Sequence, residues 1–560
     1  MSALVAVIVP LALLLGLWSA MALGAVRLAG QLLRLAPWVP LLLLWPLVAG
    51  SAGEFTWPLL GMRLGVDATV VPVLVLAALA WSAAGWFAGS RITEGRRWFW
   101  TGWLGALAGM HLLLLAGDMA SFYVGYALLS LSAYLLVTQP GSDEAWRAGR
   151  VYLIMALAGE GALLVGLLLI AGSLGNAPLA ELAANPAWVT ESAARWWLLA
   201  GFAVKLGILP LHLWLPLAHP VAPVPASAVL SGVIVKAGLL GWLRFVPALE
   251  GEPQFIGQAL LALGLATALG GVALGLCQTR LKTVLAYSTI SQMGLLLTGF
   301  AVAFLVAGER PAMLAALGLF ALHHGLNKAS LFLACGCAPG ASPWRLALFA
   351  LPTLALAAAP LTSGYLAKTA LKDLVALAPT LPLVSLVLSL TSTATALLMW
   401  KAFGLARTQT DRSIGLHPAW PLLVVAGVLV PWVYALAGGL ALEFAPDKLL
   451  ASLWPLGLAA LLVLAWTRLS GAAVRLPEGD LVVPIERLVS LLGGRLRRAN
   501  GTRTEASDDE DDTPHTPGQA SRLVAQLLQL EALQRRLPVA GLALLAVGGL
   551  LWLLTLFGGR

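Results

Sequence analysis

Long apolar runs dominate this sequence of 560 residues and decide what it can fold into. A helix needs about 20 apolar residues to cross the hydrocarbon core of a bilayer. Hydrophobic residues make up 60% of the chain, charged residues only 11%, and the mean hydropathy is +0.89, which excludes a set of soluble domains. We predict an all-α polytopic membrane protein with about 16 transmembrane helices. The runs lie near residues 3–25, 35–50, 66–89, 98–116, 119–138, 150–173, 197–217, 222–247, 255–276, 282–305, 311–338, 346–371, 380–403, 417–441, 450–467 and 538–557.

The basic residues between these runs alternate in a way that predicts the topology. Connections of odd number, counted from the N-terminus, carry twelve basic residues, and those of even number carry five. Because loops rich in Lys and Arg stay in the cytoplasm, we expect both termini to lie outside a bacterial inner membrane. The twelve are Arg27, Arg34, Arg91, Arg96, Arg97, Arg147, Arg150, Arg280, Lys282, Arg345, Arg407 and Arg412, and the five are Arg63, Arg195, Arg310, Lys372 and Lys448.

The net charge of +8 comes without a basic cluster that has interleaved aromatic residues, so we exclude nucleic acid as a partner. The cysteines, Cys277, Cys335 and Cys337, lack the spacing of zinc sites and of disulfide frameworks, and we interpret them as packing residues. We expect no metal site. The first run, from Leu4 to Val26, has no basic n-region and is interpreted as a retained span rather than a signal peptide.

A third of the charge lies in one segment near the C-terminus. Residues 468–536 hold ten basic and ten acidic residues. The acidic run 508–512 beside two prolines is typical of a disordered linker. The piece 485–498 is amphipathic and fits either the bilayer surface or the protein's own cytoplasmic face. We assign 468–537 to the cytoplasm and 538–560 to a last transmembrane helix.

A few ionisable residues lie deep inside the predicted spans. They are Glu160, Lys205, Lys236, His323, His324, Lys328 and Lys368. Such a residue costs several kcal/mol unless it faces protein or water, so it is a functional candidate. The alternatives are snorkelling to the interface and static ion pairs, and snorkelling is hardest for Lys236 and for the pair in the middle of the eleventh span.

His324 and Lys328 are four residues apart, which places them on one face of a helix. Histidine titrates near neutral pH, and desolvation disfavours the charged form of a buried lysine, so both can exchange protons. A pair of satisfied core residues would leave the same pattern. We favour the proton relay.

Helix breakers accompany this charge. The stretch from Lys205 to Pro225 contains five prolines and must unwind or kink. In a membrane, broken helices persist only where they line a cavity or are covered by protein, and they recur at ion sites in transporters. Pro360, Gly364 and Lys368 repeat the combination about 160 residues later, which indicates an internal repeat.

Four blocks resemble the antiporter-like subunits of respiratory complex I, of membrane-bound hydrogenases of the formate hydrogenlyase and hydrogenase-4 type, and of multisubunit cation/proton antiporters. The blocks are KLGILPLHLWLPLAHPVAPVPASAVLSGVIVKAGLLGWLR (205–244), LKTVLAYSTISQMG (281–294), LHHGLNKASLFL (322–333) and SGYLAK (363–368). The match is ordered and covers roughly residues 55–405.

The resemblance implies a 14-helix core with two inverted five-helix repeats, each containing a discontinuous helix. The implied divisions are N-terminal transmembrane helices in 1–97, the first repeat in 98–247, the second in 255–405 and C-terminal transmembrane helices in 406–467. Extra spans with a long cytoplasmic segment before the last one resemble the larger subunits, whose lateral element braces their neighbours.

The resemblance also implies roles. Lys205 and Lys368 would be the lysines of the two broken helices, Lys236 that of the next span, and His324 with Lys328 the central relay. We expect His323, His212, Ser288 and Gln292 to support them. For Ser288 and Gln292 two interpretations stay open, lining a water path and hydrogen bonding between helices. One departure matters: Ala127 stands where the family usually has a glutamate that pairs with the first of these lysines. We expect Glu160 to pair with Lys205 instead.

The resemblance implies a proton-translocating subunit of a larger membrane complex, carried by these Lys, His and Glu residues. Its partners would be other membrane subunits, redox or soluble subunits and the lipid bilayer. The sequence has no flavin, nucleotide or iron–sulfur motif, so we expect no cofactor and assign redox chemistry to partner subunits. The alternatives are a cation/proton antiporter subunit, the membrane subunit of an inorganic-carbon uptake system, and a structural scaffold.

Overall fold

A computed structural model describes most of the chain between its second residue and residue 477. The described residues are 2–25, 38–44, 52–55, 62–184, 193–246, 254–306, 308–378, 382–438, 446–469, 475–477 and 483. The elements below belong to one unit, Met1–Glu478. In the second unit, Gly479–Arg560, only Val483 is described. The predicted amphipathic piece, linker and last transmembrane helix therefore lie outside the described residues.

The N-terminal part combines helices with one small hairpin. Its helices are α1 (Ser2–Ala22), a 3-10 helix (Val39–Leu44) and α2 (Val71–Arg91). Strands β1 (Ala52–Phe55) and β2 (Met62–Gly65) pair antiparallel, with Ala52 opposite Gly65. The hairpin lies between the second and third predicted spans.

Two consecutive sets of helices follow, and each contains one interrupted helix. The first set is α3 (Arg96–Leu115), α4 (Met119–Thr138), α5 (Asp143–Leu174), the short α6 (Leu179–Ala184), α7 (Ala194–Leu206), α8 (Trp214–Val221), α9 (Val224–Val229), a π-helical turn (Leu230–Ile234) and α10 (Lys236–Phe245). The second set is α11 (Gln254–Leu276), α12 (Leu281–Val302), α13 (Arg310–Ala334), a 3-10 turn (Pro339–Ala341), α14 (Pro343–Leu356), α15 (Ser363–Ala376) and α16 (Pro382–Arg407). Helices α17 (Ala419–Ala437) and α18 (Pro446–Leu469) complete the described part.

The prediction of an all-α polytopic fold with discontinuous helices is confirmed. Within the described ranges, ten helices are long and apolar enough to cross a membrane, with α9 to α10 counted as one. The interrupted helices α7/α8 and α14/α15 account for two further predicted spans. Most of the predicted second span lies outside the described residues, as does the last one, so the total of sixteen is compatible with the fold.

The two interruptions have different local causes. Helix α7 ends at Gly207, whose φ of +72° is a left-handed conformation that favours glycine. The next helix begins at Trp214, keeps Pro220 inside it and ends at Val221. Helix α9 begins at Val224, so the proline-rich stretch leaves the helical conformation a second time at Ala222 and Pro223. The second interruption, between α14 and α15, contains Ala358 and Leu361 at φ of 62° and 63°. Such strain in non-glycine residues is typical of functional sites.

Contacts between loops form two groups, one at each end of the helix bundle. The odd end joins connections of odd number through Arg97 to the Ala22 carbonyl (3.0 Å), Gln139 to the Glu94 carbonyl (3.0 Å), Arg345 to the Ile414 carbonyl (2.9 Å) and the ion pair Arg280–Glu144 (2.5 Å). The even end joins connections of even number through Arg63 N–H to Asp118 (2.7 Å), Arg310 to the Leu243 carbonyl (2.9 Å) and the ion pairs Arg244–Asp67 (2.6 Å) and Lys448–Asp373 (3.2 Å). This separation agrees with the span numbering read from the basic loops.

Candidate functional site

The predicted site residues are buried inside the helix bundle. Lys236, His323, His324 and Lys328 are 0% exposed, Lys205 and Lys368 are 5% exposed, and Glu160 is 6% exposed. These values exclude snorkelling, because a snorkelling side chain keeps its charged end in water. Each group must therefore find its partners inside the protein.

Lys205 lies in the last turn of α7, directly before the first interruption. Its ammonium donates a hydrogen bond to Ser130 Oγ on α4 and lies 5.0 Å from the ring centre of Tyr126. Lys205 and Glu160 line one cavity of about 10 Å³, which has room for roughly one water molecule. The Ser130 hydroxyl also reaches the Glu160 carboxyl, which interacts electrostatically with Lys205. Glu160 Oε1 has no hydrogen-bond partner among the described residues, so it is free to accept a proton or a water.

Two glycines bring this acid and this lysine together. A Cβ built on Gly201 of α7 would lie 2.7 Å from the Gly159 carbonyl oxygen of α5, so the two helix backbones touch there. Glu160 follows Gly159 directly, and Lys205 lies one turn beyond Gly201. Close backbone approach at small residues is a common basis of helix packing in membranes.

Ser130 lies on the same helix as Ala127, the position where the resemblance implies a glutamate. Ala127 and Ser130 are three residues apart on α4 and share one side of it. Ser130 provides the oxygen that receives the Lys205 hydrogen bond, while the carboxyl group comes from α5. Sequence reasoning missed Ser130 because serines that bond to their own helix backbone are common in apolar helices.

Lys236 meets His324 at the junction of the two helix sets. The Lys236 Nζ to His324 Nδ1 distance is 2.7 Å, and Nζ also donates to the Ser231 carbonyl at 2.9 Å. Lys236 begins α10 and is separated by Val235 alone from the π-helical turn, a feature often found at functional sites. Gly232 in that turn contacts Gly325 of α13, since a Cβ on Gly325 would lie 2.6 Å from the Gly232 carbonyl oxygen.

Lys328 lies one turn after His324 but bonds to a different helix. Its ammonium donates to the Leu285 carbonyl of α12 at 2.6 Å and contacts Ser288 Oγ. Ser288 was predicted as a supporting residue. His212 lies in the first interruption, with Nδ1 3.3 Å from the Pro210 carbonyl and its ring 6.2 Å from that of Tyr287.

His323 faces the second interruption, away from its neighbour His324. Its Nδ1 lies 2.9 Å from Ser363 Oγ at the start of α15 and 3.1 Å from Asn327 Nδ2. Gly364 allows the approach, because a Cβ there would lie 3.0 Å from His323 Cε1 and collide with the Ala355 carbonyl. Neither Asn327 nor Ser363 was singled out from the sequence.

Lys368 lies on α15, five residues after Ser363. It donates to Ser392 Oγ of α16 at 3.1 Å and lines a cavity of about 90 Å³ with Lys372 and Lys448. The ion pair between Lys448 of α18 and Asp373 of α15, at the even end, also lines this cavity. This cavity, large enough for several waters, connects the buried lysine with the even end.

Two further polar residues of α12 bond to other helices. Gln292 Nε2 donates to Thr395 Oγ1 at 3.2 Å, and Thr289 Oγ1 lies 2.6 Å from Ser231 Oγ. Gln292 therefore joins α12 to α16 within the second set of helices. Within the described ranges, no group of three His, Cys, Asp or Glu residues is close enough to hold a metal ion.

A helical bundle with two interrupted helices and buried Lys and His side chains in hydrogen-bonded groups defines an antiporter-like membrane protein. Residues 116–395, half of the chain, match the family model described as the transmembrane region of NADH:quinone oxidoreductase and the Mrp antiporter. The chain belongs to this family. The matched region contains every predicted site residue.

Relatives agree with this assignment. The chain is 33% identical over 290 residues to hydrogenase-4 component B of Escherichia coli (strain K12), covering 47% of this chain and 43% of that protein. It is 29% identical over 297 residues to NADH-ubiquinone oxidoreductase chain 4 of Tetraodon nigroviridis, covering 50% and 62%. The matches thus span less than two thirds of these relatives. The fold is similar to the Mrp complex from Dietzia sp. DQ12-45-1b, with a TM-score of 0.72, 21% identity and coverage of 97% of this chain and 63% of that one.

Proposed function

We propose that this chain is a proton-translocating subunit of a larger membrane complex of the NADH-quinone oxidoreductase or membrane hydrogenase type. The observation that carries the proposal is the 2.7 Å contact between Lys236 Nζ and His324 Nδ1 in the interior of the bundle. Two nitrogen bases at this distance can share one proton, because desolvation disfavours two charges on adjacent groups. A pair that only held helices together would be expected to combine opposite charges.

The proposed path runs through both helix sets. Glu160 and Lys205 exchange a proton across their shared cavity, and Lys236 exchanges one with His324. Lys328, one turn after His324 on α13, belongs to this central relay. His323 then connects the Lys236–His324 pair to Ser363 at the start of α15. Lys368, on the same helix, lines the cavity at the even end. The adjacent histidines of α13 point to different sets, so a short displacement of α13 would open or close the connection between them.

The proposal includes placement and partners. The odd end faces the cytoplasm of a bacterial cell with both termini outside, as the basic loops suggest. The repeats comprise 98–247 and 255–405. Other membrane subunits pack against the chain, and redox or soluble subunits drive it. Relatives in hydrogenase and NADH oxidoreductase systems support this reading.

Transport of an alkali cation is the second candidate, since the family description also names the Mrp antiporter. Sodium and similar hard cations prefer oxygen ligands. The described path consists mostly of nitrogen groups, with Glu160 as its carboxylate. These ligands favour protons.

The test is proton transport by the complex that copurifies with the full chain, reconstituted in liposomes with a pH-sensitive dye inside. Lys236→Ala should lower proton transport by about 100-fold or more, the usual contribution of a positioned proton-transfer group. Lys401→Ala is the matched control, because Lys401 is a half-buried lysine that bonds to the Leu276 carbonyl at the odd end. Unchanged transport by assembled Lys236→Ala would favour a structural scaffold, and a sodium requirement would favour the cation antiporter.

A further inference from the structure

His219 is a buried imidazole that the proposed path does not use. It lies near the end of α8, the second half of the first interrupted helix, and is 0% exposed. Neither Nδ1 nor Nε2 has a hydrogen-bond partner among the described residues. A buried polar group without partners is costly and needs an explanation.

The surroundings of His219 are cationic. Its ring stacks on Phe332 with centroids 4.5 Å apart, and Phe332 lies one turn beyond Lys328 on α13, toward the odd end. The charges of Lys282 and Lys328 both act on this ring. A positive charge on this imidazole would be repelled by both lysines, so an ion pair that stabilises the fold does not account for a histidine at this position.

Lys282 and Lys328 both lie at the first turns of α12, Lys282 as part of that helix and Lys328 through a hydrogen bond from α13. Lys328 bonds to the Leu285 carbonyl, and Lys282 lies three residues earlier, at the odd-end start of α12. Lys282 Nζ donates to the Ala222 carbonyl at 2.5 Å, directly after α8. His219 is three residues before Ala222, so it lies at the level between the two lysines.

We propose that His219 carries protons between Lys282 at the odd end and Lys328 in the bundle, as the entrance to the path. This inference rests on the proposed function and adds an entrance to it. Neither ring nitrogen is hydrogen-bonded to a described residue, so each transfer passes through one bridging water. One ring nitrogen accepts a proton relayed from the Lys282 ammonium, and the other nitrogen releases a proton that is relayed to the neutral Lys328 amine. Lys282 then regains a proton from water at the odd end, and rotation of the ring restores the starting tautomer. Both ring nitrogens are needed, which accounts for both being unpartnered.

The chain offers a matched control for this histidine. His111 on α3 is likewise 0% exposed, with both ring nitrogens unpartnered among the described residues. Among the described residues, no charged side chain acts on the His111 ring, so it differs from His219 in this respect. His111 therefore has the packing cost of His219 without the two lysines.

The experiment compares His219→Phe with His111→Phe in the reconstituted complex, after assembly has been checked by the amount of chain in the purified complex. We expect His219→Phe to lower proton transport at least tenfold and His111→Phe to keep it within twofold. Azide, a small weak acid, should restore the rate of His219→Phe when added to the compartment at the odd end, because it can carry the missing proton. A residue with only a packing role would not be rescued in this way.

The outcomes separate this inference from the proposed function. Wild-type transport by His219→Phe, or an equal loss in His111→Phe, would overturn the entrance while Lys236→Ala remained defective. If Lys236→Ala also transported protons normally, the proposed function itself would fail. Should His219→Phe not assemble, His219→Gln keeps the size and polarity of the side chain but cannot carry a proton at neutral pH, and the same rescue by azide applies.

Discussion

A single methyl group at Gly325 should separate Lys236 from His324 without removing either side chain. The Cβ of an alanine there would lie 2.6 Å from the Gly232 carbonyl oxygen and 2.3 Å from Leu76 Cδ2. The end of Leu76 can rotate away, but the Gly232 backbone can move only with its helix. Ordinary van der Waals contact begins at 3.4 Å, so the helices must separate by about 0.8 Å at this point.

That displacement is large compared with the tolerance of the hydrogen bond. Added to the 2.7 Å between Lys236 Nζ and His324 Nδ1, it gives about 3.5 Å, beyond the usual range of about 2.7–3.2 Å. Misplacement of a proton-transfer group by about 1 Å can cost on the order of 100-fold in rate. We expect Gly325→Ala to lower proton transport by that factor. The overpacking should destabilise the chain by about 1–3 kcal/mol, which a membrane subunit of this size can tolerate.

The assay is proton transport in the reconstituted complex, with the amount of assembled chain measured in parallel. The matched control is Gly161→Ala on α5, where an added Cβ meets nothing within 4 Å, and it should transport protons as the wild type does. Normal transport by assembled Gly325→Ala would refute the reasoning, because the Lys236–His324 contact would then be dispensable. A loss of assembly in step with the loss of transport would show that packing, and not proton transfer, depends on this contact.

Three further outcomes are expected. Glu160→Gln should lower proton transport at least tenfold. Adding Ala127→Glu to this variant should recover part of the loss, because it places a carboxyl group on α4 beside Lys205. If the assembled double variant shows no recovery, Glu160 does not replace the acid that is expected at position 127. Ser130→Ala should lower proton transport and reduce the free energy of unfolding by about 1–3 kcal/mol, because the charged Lys205 donor loses its acceptor. A melting curve of the complex would detect this loss of stability. Arg280→Ala, in contrast, should change stability by less than about 1 kcal/mol and leave transport intact, since its ion pair with Glu144 is half exposed; a transport defect there would place the odd-end rim in the path.

The sequence was sufficient to locate the buried groups and insufficient to pair them. A lysine such as Lys236 inside an apolar run is a strong signal, because few structures can accommodate it. Its partner depends on the contact between Gly232 and Gly325, which joins segments some 90 residues apart and leaves no periodic trace in either. Lys205 shows the same limit: its serine acceptor lies on α4, one turn from the alanine at the expected position of the acid.

The interruptions were predictable in existence but not in form. The prolines after Lys205 predicted the first interruption, but the helix already ends at Gly207. The left-handed conformation there lets the Gly207 N–H bond to carbonyls in the last turn of α7. The second depends on Ala358 and Leu361 at positive φ, which no residue preference would have indicated. Local propensity agrees with the structure at Gly207, whereas tertiary packing overrides it at Ala358 and Leu361.

The neighbouring histidines of α13 show how one helix can join two otherwise separate sets of buried polar groups. Successive residues on a helix point about 100° apart, so His324 can bond Lys236 of the first set while His323 bonds Ser363 of the second. A proton that reaches His324 must cross only one residue of the same helix to enter the second set. A rotation of α13 would move both rings at once, because both are fixed to the same backbone. Under the proposed function, α13 would then control the exchange of protons between the two sets.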